Sequence, residues 1–248
     1  MKKYVVQIVF AAAFLLLIAN PAWATPGGYK QMKPQDCTLD KLAKNPDAFL
    51  NTRLKITCQF ESYGKFFNPV YTRFVSDEYI NLCAWDDTKN LWEKEDFTNV
   101  FCFLFVSKTE KCLLEALQLK RFDRFEATAV VRSCFNDIAW VEVTEIRILG
   151  EKLNKDTLKR ISTAMRLVKE ELYSSAYNEF YLLERNDEIP ERIRMLITKS
   201  RGISAYHVQK YTQARRLLQK AYKYFPQDNE VEDYLEKAIQ AEALENNQ

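Results

Sequence analysis

The sequence predicts an α+β protein of two domains, a small antiparallel β domain followed by an all-helical domain. Before Gly150, apolar and polar residues alternate with a period of two in several short runs, which is typical of half-buried strands. After Gly150, the apolar residues recur at helical spacing in a segment rich in Leu, Glu, Lys and Ala. The 248 residues suffice for two domains of about 100 to 200 residues each. We therefore expect the β domain at residues 36–150 and the helical domain at residues 151–248.

The first 24 residues have the three parts of a secretory signal peptide. Met1-Lys2-Lys3 is a positive start, Ile8 to Ile18 is an apolar run, and Ala22-Trp23-Ala24 is a small-x-small cleavage site. The apolar run is shorter than the roughly 20 residues that a spanning helix needs. We expect cleavage, a periplasmic location and no stable membrane insertion afterwards, with an uncleaved anchor as the alternative. Residues 25–35 combine Pro, Gly and polar residues and are expected to form a flexible leader.

The balance of charge argues against a nucleic-acid partner. The chain holds 36 Lys and Arg against 34 Asp and Glu, a formal net charge of +2. Removal of residues 1–24 takes away Lys2 and Lys3 and no acid, so the mature chain would be neutral. Nucleic-acid-binding proteins usually carry a basic excess, because neutralising phosphates releases counterions. We therefore expect no nucleic acid among the partners.

The cysteines predict disulfides in the β domain. There are six, and all lie in the first half of the chain: Cys37, Cys58, Cys83, Cys102, Cys112 and Cys134. An even number in an oxidising compartment predicts one to three disulfides, and spacing does not select the pairing. Alternatively, Cys58 and Cys102 lie in apolar runs and are buried free thiols. No Cys-x-x-Cys pair is present, which argues against a zinc ribbon or a thioredoxin-type redox site.

The β domain is expected to contain six strands and one internal helix. In the first strand, Leu54, Ile56 and Cys58 alternate with polar residues. A short helix precedes the last two strands, which Asn136-Asp137 joins as a turn. The strands are predicted at residues 52–60, 72–75, 80–85, 100–107, 124–134 and 139–149, and the helix at residues 111–119.

This order of elements resembles the oligonucleotide/oligosaccharide-binding (OB) fold. The resemblance covers residues 36–150 and rests on the opening NPDAFLNTRLKITCQF and the closing RFDRFEATAVVRSCFNDIAWVEVTEIRIL. It implies a small β-barrel that can bind an extended ligand. OB barrels often use glycine where their strands bend, and here Gly64 is the only glycine between Asp36 and Leu149. A part-open sheet is therefore the alternative to a closed barrel.

The helical segment resembles the tetratricopeptide repeat (TPR). The residues that carry the resemblance are Gly202, Ala205, Tyr211, Ala214, Leu218, Ala221 and Pro226. A weaker copy of the pattern precedes it, with its Tyr-x-x-Ala motif 38 residues earlier in the sequence. The residues of this copy are Ala164, Leu167, Tyr173, Ala176, Phe180 and Leu183. The resemblance implies antiparallel helix pairs, closed by a last helix at residues 229–245, and a surface that binds proteins.

No constellation of catalytic groups is recognisable. His207 is the only histidine, and it is expected to be a solvated surface residue. No glycine-rich phosphate loop is present, and the acidic stretch from Asp86 to Asp96 lacks the spacing of a calcium loop. We expect no enzyme activity, no catalytic residues, no metal and no cofactor. A hydrolase of unfamiliar type is the remaining alternative.

An aromatic and basic loop after the first strand could reach a ligand. The candidate ligand-binding residues of the β domain are Tyr63, Lys65, Phe66, Phe67, Tyr71 and Arg73. Such residues stack on extended ligands in many single-strand binders. The alternative is that these aromatic side chains simply pack in the core and the loops.

The helical domain has a charge pattern that suits an acidic partner. From Arg192 to Lys223 there are nine basic residues and no Asp or Glu. The candidate partner-binding residues are Arg194, Arg201, Arg215, Arg216 and Tyr206. Alternatively, the acids between Asp228 and Glu245 pair with these bases inside the stack. We expect a periplasmic scaffold or adaptor that binds a protein of the cell envelope, with binding of a cell-wall glycan by the β domain as the second hypothesis.

Overall fold

The computed structural model describes residues 33–245. The predicted signal peptide at residues 1–24 and most of the predicted leader at 25–35 lie outside the described residues. The first strand begins at Gln35, one residue before the expected start of the β domain, and Gln35 pairs there with Leu54 of a neighbouring strand. The α+β class is confirmed, with a closed β-barrel followed by a helical region.

The β region contains six strands and three short helices. The strands are β1 (Gln35–Cys37), β2 (Arg53–Gly64), β3 (Tyr79–Asp86), β4 (Phe101–Ser107), β5 (Arg124–Phe135) and β6 (Ile138–Ile148). The helices are α1 (Leu39–Lys44), α2 (Lys94–Thr98) and α3 (Leu113–Gln118), with a 3-10 turn at Pro46–Phe49.

Strands β2 to β6 form a closed barrel. Strand β2 is antiparallel to β3 through its second half and to β5 through its first half. Strands β3 and β4 are antiparallel, β4 and β6 are parallel, and β5 and β6 are antiparallel, so the ring closes. The closed barrel was thus the correct prediction, and the alternative of a part-open sheet was wrong. Shifts of register, such as the one between Phe60 and Ser62, bend the strands without glycine.

Four of the predicted strands after the first are confirmed, and the one at residues 72–75 is wrong. That segment has no strand pairing and instead makes turn hydrogen bonds, such as Thr72 N–H to Asn68 O at 3.0 Å and Tyr79 N–H to Val75 O at 3.0 Å. The apolar residue at position 74 serves another purpose, because the ring of Phe74 is fully buried against the outside of the barrel. Burial in a loop therefore produced a pattern that resembles a strand.

The helical region consists of consecutive antiparallel helices. They are α4 (Lys155–Lys169), α5 (Tyr173–Leu183), α6 (Glu191–His207), α7 (Tyr211–Tyr224) and α8 (Asn229–Glu245). Each helix packs on the next, and α6 also contacts both α4 and α8. The first helices of successive hairpins therefore lie side by side and form one surface.

The barrel and the helices share a hydrophobic core. Trp85 of β3 is fully buried in a cluster with Leu158 and Ile161 of α4. Arg192 of α6 donates to the carbonyl of Lys89 at 3.1 Å and to the side chain of Asn90 at 3.0 Å. The helical stack is thus covered on one side by the barrel.

One disulfide is present, between Cys83 of β3 and Cys102 of β4. The expectation of at least one disulfide is confirmed, whereas the alternative of Cys102 as a free thiol is wrong. Cys58 is a free thiol and is fully buried in the barrel interior, where burial raises its pKa well above 9.0. Cys37, Cys112 and Cys134 are also free.

Candidate functional site

The loop between β2 and β3, residues 65–78, lies across the outside of the barrel. Phe74 is at the centre of the contact, with ring centres 4.1 Å from Phe105, 5.0 Å from Tyr79 and 6.0 Å from Trp140. Phe105 and Trp140 stack in parallel at 5.3 Å. These four side chains form a second apolar core on the outer face of β3, β4 and β6. The loop that carries most of the predicted ligand residues therefore covers the outer face of these three strands.

Three of the predicted ligand residues line one cavity. Tyr63, Lys65 and Phe67 border a cavity of about 520 Å³ together with Lys108 and Leu117. The hydroxyl of Tyr63 donates to the carbonyl of Ala116 at 2.9 Å. Burial raises the pKa of Tyr63 above its ordinary 10.0.

The other three predicted residues face different neighbours. The exposed ring of Tyr71 stacks on Phe135 with ring centres 4.7 Å apart. Arg73 lies 4.0 Å from the carboxylate of Glu142, and the half-exposed Phe66 contacts Phe103 at 5.8 Å. The structure thus brings together half of the predicted ligand set and disperses the rest along the loop.

Asn81 holds the start of this loop, a role that was not predicted. Its buried side chain donates to the carbonyls of Cys102 at 2.8 Å and Leu104 at 3.1 Å, and accepts from Phe66 N–H at 3.0 Å. A Cβ on Gly64 would come within 2.1 Å of the Asn81 oxygen. The sequence did contain a sign of this role, namely an asparagine inside a mostly apolar strand. A buried side-chain amide must find hydrogen-bond partners, so such a residue usually holds a neighbouring segment.

Arg201, a predicted partner-binding residue, is buried inside the helical stack. Its guanidinium pairs with Glu184 and donates to the hydroxyl of Tyr177 at 3.1 Å. It lies 4.8 Å from the ring centre of Tyr177 and 4.7 Å from that of Tyr181. The cation is therefore held by charge, hydrogen bonding and cation–π contact within the protein.

The remaining predicted arginines differ in exposure. Arg194 lies 3.4 Å from Glu191, and Arg215 lies 2.8 Å from Glu242 of α8. Arg216 is exposed. Lys199 also pairs with α8, at 2.7 Å from Glu230, so within residues 33–245 the acidic last helix compensates two of the nine basic residues, Lys199 and Arg215.

Tyr206 belongs to a cluster of aromatic residues that α5, α6 and α8 supply at the surface of the helical stack. It meets the rings of His207 and Tyr234 edge to face, at 5.6 Å in both cases. His207 stacks in parallel on Tyr173 at 3.8 Å, and its Nε2 lies 3.0 Å from the hydroxyl of Tyr234. We call Tyr173, Tyr206, His207 and Tyr234 the aromatic cluster. His207, expected to be solvated, is exposed but also contacts Tyr173 and Tyr234, which lie on other helices and could not be read from its own neighbours in sequence.

The electrostatics of the aromatic cluster favour a neutral imidazole. Desolvation lowers the pKa of His207 from its ordinary 6.5, Glu171 opposes this shift and Lys237 adds to it. Burial likewise raises the pKa of Tyr234 above 10.0. Both shifts favour the uncharged forms of His207 and Tyr234, which can donate and accept hydrogen bonds.

Two residues of the acidic stretch singled out in the sequence, Asp86 and Asp87, are satisfied within the protein. Asp86 is buried and accepts from Asp40 N–H at 3.1 Å and from Thr88 N–H at 2.8 Å. Asp87 makes a two-point contact with Arg124 at 2.7 and 2.8 Å. Within residues 33–245, no group of three or more His, Cys, Asp or Glu side chains is placed to hold a metal ion.

The described part of the chain contains no helix with the length and apolarity required to cross a bilayer. Comparison with known proteins adds no assignment to this geometry: no protein-family model matches the chain, and no curated protein matches it in a sequence search.

Proposed function

We propose that this protein is a non-enzymatic adaptor of the bacterial periplasm, which binds a protein partner on the surface of the helical stack around the aromatic cluster. The observation that carries the proposal is the aromatic cluster, which combines the exposed ring of His207 and three half-buried tyrosine rings with hydrogen-bonding groups. Tyrosine and other aromatic side chains are enriched where proteins bind one another, because they bury much area with little loss of entropy.

The arrangement of the helices supports a TPR-like stack. A Cβ on Gly202 would lie 2.8 Å from Cγ of Leu218, so glycine permits the close approach of α6 and α7. Glu171 and Gln209 both have a φ of 59° and end the first helix of their hairpins at equivalent places. In repeat proteins, the first helices of successive hairpins commonly form the binding surface.

The topology of the barrel supports an OB-like domain in a supporting role. The strand order β2-β3-β4-β6-β5, with α3 before β5, is that of a five-stranded Greek-key barrel of this kind. Its outer face on β3 and β4 is covered by Phe74 and the rest of the loop. This cover favours the helical surface over the barrel face as the principal site of binding.

Export is part of the proposal. It rests on the signal-like pattern of residues 1–24 and is supported by the disulfide between Cys83 and Cys102, since disulfides persist in oxidising compartments.

The test is site-specific photo-cross-linking in cells that express the full chain. A photoreactive phenylalanine analogue replaces His207 in one variant and the exposed Asn178 of α5, away from the aromatic cluster, in the control. We expect a discrete cross-linked protein species from position 207 and none from position 178. A further Tyr206→Ala exchange should abolish the species by removing part of the contact.

The result against the proposal is equally specific. Equal cross-linking from both positions, or none from position 207 in correctly folded protein, would remove the aromatic cluster as the binding surface. Circular dichroism of each purified variant shows whether the fold is retained.

A further inference from the structure

A groove runs between α4 and the barrel, and its lining includes none of the candidate binding residues described above. It consists of two adjacent cavities of about 360 Å³ and 150 Å³, and both are lined by Trp92 and Ser162. One wall is α4, and the other comes from the segment that contains Trp92 and α2 and from the connection between α3 and β5. We call it the α4 groove.

The helical wall of the α4 groove is a row of cations. Lys155, Lys159, Arg166 and Lys169 line the two cavities on either side of Ser162. Successive spacings of four, three, four and three residues place all five on one face of the helix. At 1.5 Å per residue this row is roughly 21 Å long. Ligand charges spaced along an extended chain could therefore meet several cations at once.

The positive charge of the α4 groove is only partly compensated. Arg166 pairs with Glu170 at 2.8 Å, Lys169 lies 3.5 Å from Glu93, and Arg121 of the opposite wall pairs with Glu61 at 3.0 Å. For Lys155 and Lys159, which are exposed, no acidic partner lies within ion-pair distance among residues 33–245. The end of the groove near these two lysines is therefore the most positive.

The opposite wall presents aromatic rings. Trp92, Phe97 and Phe122 line the larger cavity and are each half-buried. The guanidinium of Arg121, which lines the same cavity, lies 5.3 Å from the ring centre of Phe122 and 5.6 Å from that of Phe97. A fifth cation is thus seated among the rings.

The position of Phe122 is fixed before any ligand arrives. Its φ is 74°, an unusual value for a bulky residue, and its N–H donates to Phe60 O at 2.8 Å. Its ring stacks on Trp85 at 5.4 Å with an interplanar angle of 6°. Residues held in such backbone conformations cluster at ligand sites, and a rigid wall reduces the entropy lost on binding.

We propose that the α4 groove binds a linear polysaccharide that carries carboxylate groups. The weakly polarised C–H groups of a sugar face suit the negative face of an aromatic ring. Carboxylates along the chain would pair with the cations of α4 and Arg121. A row of cations on one wall and half-buried aromatic rings on the other therefore select an anionic glycan. An acidic peptide would have to satisfy its backbone groups, and the groove is lined by side chains of a helix and loops without a strand edge for it to pair with.

This inference goes beyond the adaptor function, because the α4 groove and the aromatic cluster share no residue. The protein would hold an anionic glycan at one site and a protein partner at another. Failure of either proposal leaves the other in place, since each is tested with its own variants.

The test is titration of the mature chain with a short oligogalacturonate, which is a linear chain of uronic acids. Binding is measured by calorimetry and by the change in tryptophan fluorescence. The groove variant is Lys155→Gln/Lys159→Gln. The matched control is Lys220→Gln/Lys223→Gln on α7, which removes the same charge from exposed lysines. We expect the groove variant to lose about tenfold in affinity, as two exposed ion pairs would contribute, and the control to lose almost none. A Trp92→Leu variant should bind more weakly and lose most of the fluorescence change.

Three results would overturn the inference. They are no binding of oligogalacturonate, equal losses in the groove variant and the control, or tighter binding of polyglutamate, which would make an acidic peptide the ligand. The fully methyl-esterified oligomer, which has no charge, should bind far more weakly than the free acid.

Discussion

Gly202 shows how one missing methyl group sets the distance between two helices. A Cβ there would lie 2.8 Å from Cγ and 3.0 Å from Cδ2 of the fully buried Leu218. We expect Gly202→Ala to lower the free energy of unfolding by about 1–3 kcal/mol through overpacking. Urea denaturation measures the change. Gly150→Ala is the control, because its new Cβ would meet nothing within 4 Å, and an equal loss in both variants would contradict the explanation.

Arg201 is a buried cation whose partners are all internal. We expect Arg201→Ala to lower the free energy of unfolding by about 2–3 kcal/mol, because it removes the charged partner of the partly buried Glu184 and the hydrogen bond to Tyr177. Arg216→Ala, at an exposed position, should change it by less than about 0.5 kcal/mol. Thermal and urea unfolding of the two variants provide the comparison. A small loss at Arg201 would instead favour a role on a surface.

His207 connects stability to pH. Its pKa is lowered in the folded protein by desolvation, so below pH 6.5 the unfolded chain binds the proton more readily. The contribution of neutral His207 to the free energy of unfolding is therefore complete above the pKa that His207 has in the unfolded chain. It declines as the pH falls below that value and levels off below the pKa that His207 has in the folded protein. We expect His207→Gln to flatten the change in urea midpoint between about pH 7.5 and about pH 5.5. The same slope in the variant would show that other groups cause it.

At the scale of elements, the loop over the barrel depends on one ring. We expect Phe74→Ala to lower the free energy of unfolding by about 3–5 kcal/mol, because it opens a cavity among Phe105, Tyr79 and Trp140. Tyr71→Ala is the matched control in the same loop, where the ring is 66% exposed and the loss should be below about 1 kcal/mol. Equal losses would show that the loop contributes little beyond its general contacts.

The strands were predicted better than the loop because their evidence is local. In β5, Phe125, Ala127 and Ala129 are buried and alternate with exposed or half-exposed residues, so the pattern is visible within the strand itself. In the loop, the burial of Phe74 depends on side chains of β3, β4 and β6. The spacing of apolar residues within the loop does not indicate contacts with residues so distant in the sequence.

At the scale of the whole molecule, Trp85 joins the barrel to the helices. Its ring lies in one cluster with Leu158 and Ile161, and its Nε1–H donates to Phe97 O at 2.9 Å. We expect Trp85→Ala to separate the unfolding of the two parts into two calorimetric transitions, because it removes the largest shared side chain. Trp140→Ala is the control: it destabilises the barrel from its outer face and should leave a single transition. A single transition in both variants would contradict the role of Trp85.

The candidate sites show the same division between local and distant information. The helix spacing of Lys155, Lys159 and Arg166 is readable from the sequence, yet the α4 groove was not predicted. Its aromatic wall comes from Trp92, Phe97 and Phe122, and only docking of the barrel on α4 brings the two sets together. The same holds for Tyr173, His207 and Tyr234, which three different helices supply.

The sequence by itself determined the α+β class, most strands, the helical character after Gly150 and the presence of a disulfide, because periodicity and composition act over a few neighbouring residues. The tertiary structure decided the closure of the barrel, the pairing of Cys83 with Cys102, the burial of Arg201 and the cover that Phe74 provides. Each of these depends on groups that are distant in the chain, and their free energy arises only when folding has removed the intervening water.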